Sequence, residues 1–436
     1  MNRSADSGAW YRPWAPALWL MAVLEVTGTA GCKPERPDGD SAPIAKETQD
    51  TQAANIDRLR SLPYVGFSSQ KADEGESGVV RFDAQRSCPG YNLYSSHKLC
   101  SASLIDARGE VIRFWEHPGR HWTNCRLLPN GDLLVVGRDR IDDDRAMADD
   151  VGRFVLRLSW EGRVLWKKTI PAHHDAEWTP DGGILTFVTR RRRSAAISLN
   201  VDIRDNELTL LSADGQVVDH CSLLDVCGAR PDLFTFQPVA PKTRQWIIDL
   251  FHCNSVEWIR RPDLEPRHPI YASGNVLICS RHQDTIAVID WDKKELVWAW
   301  GQGEISGPHD ATLLDSGNIL LFDNGLGRGW SRVIELDPLT ETIVWEYRAP
   351  EPTDFYTKSR GSSQRLANGN TLIANSDNGQ AFEVTPDGEI VWEFLSPHVN
   401  AEGYRGTIVR MKRYPLSYVD SIIEQHEGAD RDAARP

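Results

Sequence analysis

The sequence has little methionine, no excess of basic residues and no long uninterrupted apolar run. Only 4 of its 436 residues are Met, whereas 16 are Trp, a balance that favours rigid aromatic packing on sheets over adaptable helical cores. A formal net charge of −13 argues against a nucleic-acid-binding protein, because such proteins present a basic field to the phosphates. With 40 % hydrophobic and 25 % charged residues, the chain has the composition of a globular protein with a large core.

The chain also lacks the spacing of Cys and His that is typical of a zinc site, so we expect no structural metal. It contains 8 Cys, and an exported protein could use them in disulfides. Cys221 with Cys227, or Cys88 with Cys100, are close enough in sequence to close small loops. The full connectivity stays open at this point.

The N-terminal apolar segment is too short, and too interrupted by Glu25, for a membrane span. It is better interpreted as an export signal covering residues 1–32. Residues 29–31 are small and precede Cys32, as at the cleavage site of a bacterial lipoprotein, where that Cys takes the lipid; a plain cleaved signal peptide is the alternative. Residues 33–78 are polar and aperiodic, as expected of a flexible tether and lead-in. We therefore predict an exported protein, periplasmic or anchored to the outer membrane by lipid.

Two short patterns alternate between about residues 90 and 395. One is a turn followed by an apolar strand, as in "LPNGDLLVVG" and "LDSGNILLFD"; the other is a turn and a strand that usually ends in Trp, as in "TPDGEIVWEF". Each pair predicts two hairpins, hence a four-stranded antiparallel sheet. About six such units predict an all-β, six-bladed β-propeller over residues 79–415, followed by a tail at 416–436. The segment "YRGTIVRMKRYP" is expected to supply the last strand and close the ring beside the first blade.

Histidines recur at matching positions of this repeat. His174 and His309 each lie eight residues before the turn glycine of their own unit, and each is followed by Asp and Ala. His252 opens the innermost strand of the unit between them, with Asn254 on the same face. Because the innermost strands of a propeller converge on the central channel, we expect three consecutive blades to present a His to one site.

Two arginines share a second register. Arg281 and Arg138 each lie seven residues after the turn glycine of their unit, so both could reach the end of the channel. Three imidazoles suggest a metal site, but an always-charged guanidinium beside a cation is unfavourable. Arg instead matches a tetrahedral oxyanion such as sulfate or phosphate through paired N–H donors. We expect Asn254 and Arg138 to assist in binding the substrate.

At this stage the chain resembles the bacterial arylsulfate sulfotransferases, the ASST family. The resemblance extends from about residue 90 to 412, and its specific parts are "DLFHCNSVEW", "LICSRHQDTIAVID", "GPHDATLL" and "GSSQRLANGNTLIANS". It implies a six-bladed propeller in which His309 is the nucleophile. It also implies that His252, Arg281 and His174 assist the nucleophile.

The resemblance further implies an activity. Neutral His309 would attack the sulfur of an aryl sulfate, and the resulting sulfohistidine would pass the sulfuryl group to a phenolic acceptor in a ping-pong cycle. Such a reaction is independent of PAPS and requires no cofactor, and the chain indeed has no P-loop. In contrast to the periplasmic members, the chain has no separate N-terminal β-sandwich. Ala367 and the inserted residues 260–269 alter the surroundings of the site, so the preferred donor and acceptor need not be those of the family.

Two other functions compete with this interpretation. One is a non-catalytic exported propeller that binds a sulfated or anionic ligand, or a partner protein. The other is a metal- or quinone-dependent oxidoreductase, which the arginine and the missing cofactor motif make less favourable. The oligomeric state is not determined by the sequence.

Overall fold

The architecture was examined in a computed structural model, which describes residues 66–73, 75–140, 150–242 and 246–433. The predicted export segment 1–32, with Cys32, and the predicted tether up to residue 65 lie outside the described residues. No helix within the described ranges is long and apolar enough to cross a membrane.

Strands, nearly all of them paired antiparallel, form most of the regular secondary structure in the described residues. Two strands, β1 (Phe67–Lys71) and β2 (Gly78–Phe82), precede the repeats. The first blade contains β3 (Tyr91–Ser96), β4 (Ser101–Ile105), β5 (Val111–Glu116) and, from the end of the chain, β28 (Ile408–Tyr414). Blade 2 contains β6 (His121–Leu127), β7 (Leu133–Arg138), β8 (Arg153–Leu158) and β9 (Val164–Thr169). Blade 3 contains β10 (Ala172–Trp178), β11 (Ile184–Ser194), β12 (Ser198–Leu211), β13 (Val217–Ser222) and β14 (Ile247–Asp249).

The second half of the ring repeats the pattern. Blade 4 contains β15 (Cys253–Trp258), β16 (Asn275–Ser280), β17 (Thr285–Asp290) and β18 (Glu295–Trp300). Blade 5 contains β19 (His309–Leu313), β20 (Ile319–Asp323), β21 (Arg332–Asp337) and β22 (Thr342–Tyr347). Blade 6 contains β23 (Ser362–Arg365), β24 (Thr371–Asn375), β25 (Gln380–Val384) and β26 (Ile390–Leu395), and it is followed by β27 (Tyr404–Gly406). Two α-helices are described: α1 (Leu223–Gly228) and α2 (Leu416–Ala433).

The strand order confirms the predicted six-bladed propeller. The innermost strands are β28, β6, β10, β15, β19 and β23 of blades 1 to 6, and in blades 2 to 6 hairpins connect the following strands outward. The ring is closed twice. Strand β28 completes blade 1 beside β3, as predicted, while β2 adds a fifth strand to the outer edge of blade 6 by pairing with β26. Both ends of the repeat region are therefore tied into sheets made mostly of residues from the other end.

The turn glycines allow the tight hairpins between the first and second strands of the blades. Gly182 and Gly317 have φ values of 87° and 94°, a region that residues with a Cβ rarely occupy. These turns fix the register of the innermost strand against its neighbour, so the distance in sequence from the turn determines the height of a residue in the channel.

Six hydrophobic clusters hold the blades together, one at each interface between neighbouring blades. In β7, Leu133 and Val135 pack towards blade 1, whereas Leu134 and Val136 pack towards blade 3. Because both faces of a blade are covered, the second strands are continuous apolar runs instead of alternating ones. The apolar core thus forms a ring around the channel, whereas the side chains that face the channel are mostly polar.

The predicted disulfides are not formed, because all seven described cysteines are free thiols. Cys88 and Cys100 belong to different hydrophobic clusters, on opposite sides of blade 1. Cys221 and Cys227 pack in one cluster as small apolar side chains, and burial raises the pKa of Cys221 to about 12.

Candidate active site

One residue from the inner edge of each blade surrounds a cavity in the channel. We call this set the channel ring: Thr123, His174, Asn254, His309, Gly361 and Val409. The cavity has an empty volume of about 390 Å³, part of it open to solvent, and we call it the upper cavity. Three more residues complete its lining: His97, Arg360 and Arg410.

Bulges in the innermost strands aim the ring residues into the channel. The pairing register shifts at this level in five of the six innermost strands, β6, β10, β15, β19 and β28. An extra residue at a bulge bends the strand and redirects its side chain. At the bulges His174 has a φ of 64° and Asp310 a φ of 54°, which are unusual values for residues with a side chain. The sheets therefore carry local strain at the height of the cavity.

The sixth ring position requires a glycine. Gly361 precedes β23 with a φ of 131°, and a Cβ there would lie 2.5 Å from Cδ1 of Phe322. No larger residue fits without displacing that buried ring. The absence of a side chain leaves one side of the ring open beside His309 on the neighbouring blade.

His309 is held in one tautomer. Its Nδ1 lies 2.7 Å from Oδ1 of Asn324 and 3.0 Å from the carbonyl oxygen of Gly307. The amide nitrogen of Asn324 donates to the carbonyl oxygens of Thr357 and Arg360, which fixes its oxygen towards the imidazole. Both partners of Nδ1 are therefore acceptors, so Nδ1 carries the proton and Nε2 carries the lone pair. That Nε2 is buried and has no hydrogen-bond partner among the described residues.

The environment keeps this imidazole neutral. Burial, and next the charge of Arg281, lower the pKa of His309 to about 3. The hydrogen bonds of Nδ1 oppose the shift without reversing it. At neutral pH the lone pair on Nε2 is thus available, as a nucleophile requires.

His252 is paired with a carboxylate. Its Nδ1 donates to Oδ2 of Asp249 over 2.7 Å, and its ring contacts that of His174, with centroids 4.7 Å apart. Burial lowers the pKa of His252 to about 4, while Asp249 acts in the opposite direction. Burial alone would raise the pKa of Asp249, but Lys242 and His252 bring it well below its ordinary value. Asp249 is consequently a carboxylate that can stabilise a proton on His252.

The predicted site residues occupy two depths. His174, Asn254 and His309 lie on the wall of the upper cavity. His252 does not line the cavity but contacts His174, and Arg281 lies near enough to His309 for its charge to lower the pKa of that imidazole. The sequence register of the ring position is occupied in blade 4 by Asn254, two residues after His252. His174, His252 and His309 therefore do not occupy equivalent positions of the repeat, although the fold brings them close together.

Asn254 also connects two blades. Its Nδ2 donates to the carbonyl oxygen of Pro308 over 2.8 Å, directly before His309. Its Oδ1 accepts a longer hydrogen bond, of 3.4 Å, from the amide of Asp310. The side chain thus positions the start of β19, in addition to lining the cavity.

Arg138 is not brought to the cavity. It ends β7, is buried, and donates from Nε to the carbonyl oxygen of Val151 over 2.9 Å. The guanidinium that lines the upper cavity belongs instead to Arg360, whose Nη1 donates to Thr407 over 3.3 Å. Arg281 donates from Nη1 to Nε2 of His282 over 3.0 Å. The guanidinium of Arg281 therefore lies near His309, and that of Arg360 lies on the wall of the same cavity.

Some residues at the site that were not among the predicted ones also occupy recurring positions of the sequence repeat. Thr123 and Gly361 lie eight residues before Gly131 and Gly369, the same offset as His174 and His309. Asn324 lies seven residues after its turn glycine, the offset that drew attention to Arg281. His97 and Arg360 lie in connections outside the innermost strands, and no repeat position indicates them.

Asp249, His252 and His282 form a cluster whose ligand atoms lie within 4.8 Å of one another, a spacing compatible with a metal. Their atoms already have partners, however. Asp249 accepts from His252 and also pairs with Lys242 over 2.7 Å. His282 faces the carbonyl oxygen of Asp249 with Nδ1 and Arg281 with Nε2. Two cationic side chains beside the cluster favour an anion over a metal cation.

The channel of this propeller gathers neutral imidazoles and guanidinium groups, a combination whose chemistry suits an oxyanion. The comparison with protein families identifies the class of protein. The profile of the arylsulfotransferase (ASST) family matches residues 152–397, more than half of the chain. This protein therefore belongs to the arylsulfotransferase family, which makes a sulfotransferase-type function with small-molecule substrates the family expectation.

Solved structures and curated proteins add little. A protein of unknown function from Bacteroides caccae is 14 % identical, with a TM-score of 0.47, over 74 % of this chain and 98 % of the other. A virginiamycin B lyase from Staphylococcus aureus is 12 % identical, with a TM-score of 0.42, over 73 % of this chain and 88 % of the other. These values support no conclusion about activity. No curated protein matches the chain.

Proposed function

We propose that this protein transfers a sulfuryl group from an aryl sulfate ester to a phenolic acceptor, with His309 as the nucleophile. The observation that carries the proposal is the state of His309 Nε2, which is an unprotonated, unpartnered nitrogen on the wall of the upper cavity. Most buried polar atoms are hydrogen-bonded, so an unpartnered Nε2 beside a cavity favours a role in binding or reaction. Membership of the arylsulfotransferase family supports the same reaction class.

The reaction proceeds in two displacements at sulfur. The lone pair of Nε2 forms an N–S bond while the bond from sulfur to the aryl oxygen breaks, and a phenolate leaves. In the second step the oxygen of the acceptor phenol attacks the same sulfur, the N–S bond breaks, and its electron pair returns to Nε2. Because donor and acceptor are both aryl oxygens, the second step is the reverse of the first, as a ping-pong cycle requires.

We assign the proton transfer to His252, the imidazole that is backed by a carboxylate. In the second step His252 accepts the proton of the acceptor phenol, and Asp249 stabilises the imidazolium that forms. By reversibility, the protonated His252 gives this proton to the phenolate that leaves in the first step. His174 lines the cavity and contacts His252, so the two imidazoles lie side by side at the site.

The sulfuryl oxygens need cationic or N–H partners. Arg281 supplies permanent positive charge near His309 and Arg360 supplies it on the cavity wall, where His174 and Asn254 add further polar groups. Such preorganised donors stabilise charge that develops on the oxygens in the transition state. Nucleotide recognition is not part of this scheme, because the donor is the aryl ester.

The experiment is an assay of sulfuryl transfer from a chromogenic aryl sulfate to phenol. His309→Asn should lower turnover on the order of 10⁴-fold or more, the scale expected for the loss of a covalent nucleophile. The matched control is His220→Asn, at an exposed position of β13, which should retain full activity. An unimpaired His309→Asn variant would rule out the proposed nucleophile.

Absence of transfer with every aryl donor, together with tight binding of a sulfated ligand, would favour a non-catalytic binding propeller instead. A stoichiometric transition metal in the purified protein would favour the oxidoreductase.

We further propose that the protein is exported and carries a lipid on Cys32. The support is the N-terminal sequence, in which an apolar run and small residues precede Cys32. Mass spectrometry of the protein purified from its membrane fraction would test this, since a diacylglyceryl group on Cys32 is expected and an unmodified N-terminus would contradict it.

A further inference from the structure

Arg410 lies across the channel immediately below the channel ring. Its Nη1 is 3.1 Å from Oδ2 of Asp175, and its Nη2 is 3.0 Å from Oδ1 of Asp310. These aspartates directly follow His174 and His309 in the chain. One guanidinium from blade 1 therefore connects blades 3 and 5 at the height of the site.

The two aspartates are themselves fixed by other blades. Asp175 accepts hydrogen bonds from the amide of Asn124 and from the backbone amide of Val256, and Asp310 accepts one from the backbone amide of Ser363. Both carboxylates are buried. The guanidinium is thus held between two fixed carboxylates, and swinging aside would leave both buried charges unpaired while they stay ionised.

Arg410 also separates two cavities. Below the ring the channel widens into a larger cavity, with an empty volume of about 2110 Å³ including open solvent, which we call the lower cavity. Many of its lining residues are charged, among them Arg126, Glu177, Glu257 and Lys412. Among the residues that the structure describes, Arg410 alone lines both the upper and the lower cavity. Its side chain therefore lies between the site of His309 and the lower cavity.

A sulfohistidine can be discharged in two ways. Attack by a phenol oxygen breaks the N–S bond, frees Nε2 and gives an aryl sulfate. Attack by a water oxygen breaks the same bond and gives hydrogen sulfate, which loses a proton to become sulfate. Exclusion of water favours the first outcome over the second. We propose that Arg410 seals the channel below His309, so that water can reach the sulfohistidine only through the solvent-facing opening that the donor and the acceptor occupy, and that this closure favours transfer over hydrolysis; this inference rests on the function proposed above.

The test compares the products of the two outcomes. Arg410→Ala and Arg410→Lys are incubated with the same aryl sulfate and phenol as the wild type, and inorganic sulfate and sulfated acceptor are both quantified. The ratio of sulfate to sulfated acceptor should rise severalfold in Arg410→Ala. Arg410→Lys keeps the positive charge but cannot contact Asp175 and Asp310 at the same time, so it should show a smaller rise in this ratio. If the Ala variant does not fold, the Lys variant serves as the test.

A matched control separates sealing from general loosening of the channel. Arg126 is another half-buried channel arginine, paired with Glu177 over 2.6 Å and with Asp175 over 3.7 Å, but it lines the lower cavity alone. Arg126→Lys should leave the product ratio at the wild-type value. An unchanged ratio in the folded Arg410 variants, or an equal rise in Arg126→Lys, would overturn the inference. A wild-type protein without any aryl sulfate turnover would instead defeat the proposed function, and the sealing role with it.

Discussion

The upper and lower cavities lie on the same six innermost strands but contain opposite chemistry. Around the upper cavity the titratable groups are mainly neutral imidazoles, because burial and neighbouring arginines lower their pKa values. In the lower cavity carboxylates and cations are mixed, as in the pair of Arg126 with Glu177. A repeated fold thus supplies identical backbone positions, and the side chains at successive heights decide which end can host a reaction. We expect reactivity at the upper cavity alone.

The largest effect after loss of the nucleophile is expected at Asp249. Asp249→Asn removes the charge that stabilises a proton on His252, so kcat should fall by roughly 10²- to 10⁴-fold, the usual contribution of general acid–base catalysis. The assay is steady-state transfer from a chromogenic aryl sulfate. Asp205→Asn is the control, since Asp205 is also buried on blade 3 but contacts Ser222 and Leu224 away from the cavity. Equal losses in both variants would indicate a structural role for Asp249.

Asn324 should have the next largest effect. Asn324→Leu removes the acceptor that fixes the tautomer of His309, while the carbonyl oxygen of Gly307 remains. A decrease in kcat of roughly 10- to 100-fold is expected, as for other groups that orient a reactive imidazole. Asn275→Leu is the matched control, because that amide also donates to two backbone carbonyls but lies far from the site. A normal kcat in Asn324→Leu would show that the tautomer is fixed without it.

The buried histidines in and around the upper cavity should also make the folded protein less stable in acid. Burial lowers the pKa of each of these histidines below its ordinary value of 6.5, so the unfolded chain binds protons first as the pH falls. Above about pH 6.5 these histidines should not change the stability; between pH 6.5 and its own folded-state pKa, each should lower the free energy of unfolding by about 1.4 kcal/mol per pH unit. The histidines concerned are His97, His121, His173, His174, His252, His282 and His309.

Denaturant unfolding at pH 7.5, 6.0 and 5.0 measures this dependence. His173→Gln should flatten it, because His173 is buried and does not line the cavity. The exposed His220→Asn should leave it unaltered. A stability that stays constant from pH 7.5 to 5.0 would contradict the low pKa values of the buried imidazoles.

The smallest effect is expected in the lower cavity. Burial raises the pKa of Glu257 to about 7, a shift that could suggest a catalytic acid. The carboxyl group faces the lower cavity and accepts from the amide of Leu313, on the far side of Arg410 from His309. Glu257→Gln should therefore leave kcat/KM unchanged, and a marked loss would show that the lower cavity takes part in the reaction.

The sequence was sufficient for the repeat, the number of blades and the strand that closes the ring, because turn glycines and alternating strands recur at a fixed period. It also indicated His174 and His309, which share one offset from the turn. The same offset fails for Asn254, because the insertion at 260–269 lengthens the connection, and for Val409, because β28 comes from the other end of the chain. Counting residues from the turn glycine therefore does not identify Asn254 or Val409 as members of the channel ring.

Other features depend on packing across the ring. Arg138 and Arg281 have the same offset, yet only Arg281 adjoins His309, since the blades to which they belong differ in distance from it around the ring. The cysteine spacing suggested disulfides, but the thiols are distributed among apolar clusters at the blade interfaces. Arg410 and Arg360 acquire their roles from contacts between distant blades, which sequence spacing does not encode.

The most direct test of the central claim is to trap the covalent intermediate. The protein is incubated with an aryl sulfate in the absence of an acceptor, and its peptides are mapped by mass spectrometry under conditions that preserve N-sulfonated histidine. We expect one sulfuryl group on Nε2 of His309, lost on addition of phenol and absent from His309→Asn. A sulfuryl group on another residue, or turnover that persists in His309→Asn, would contradict the account.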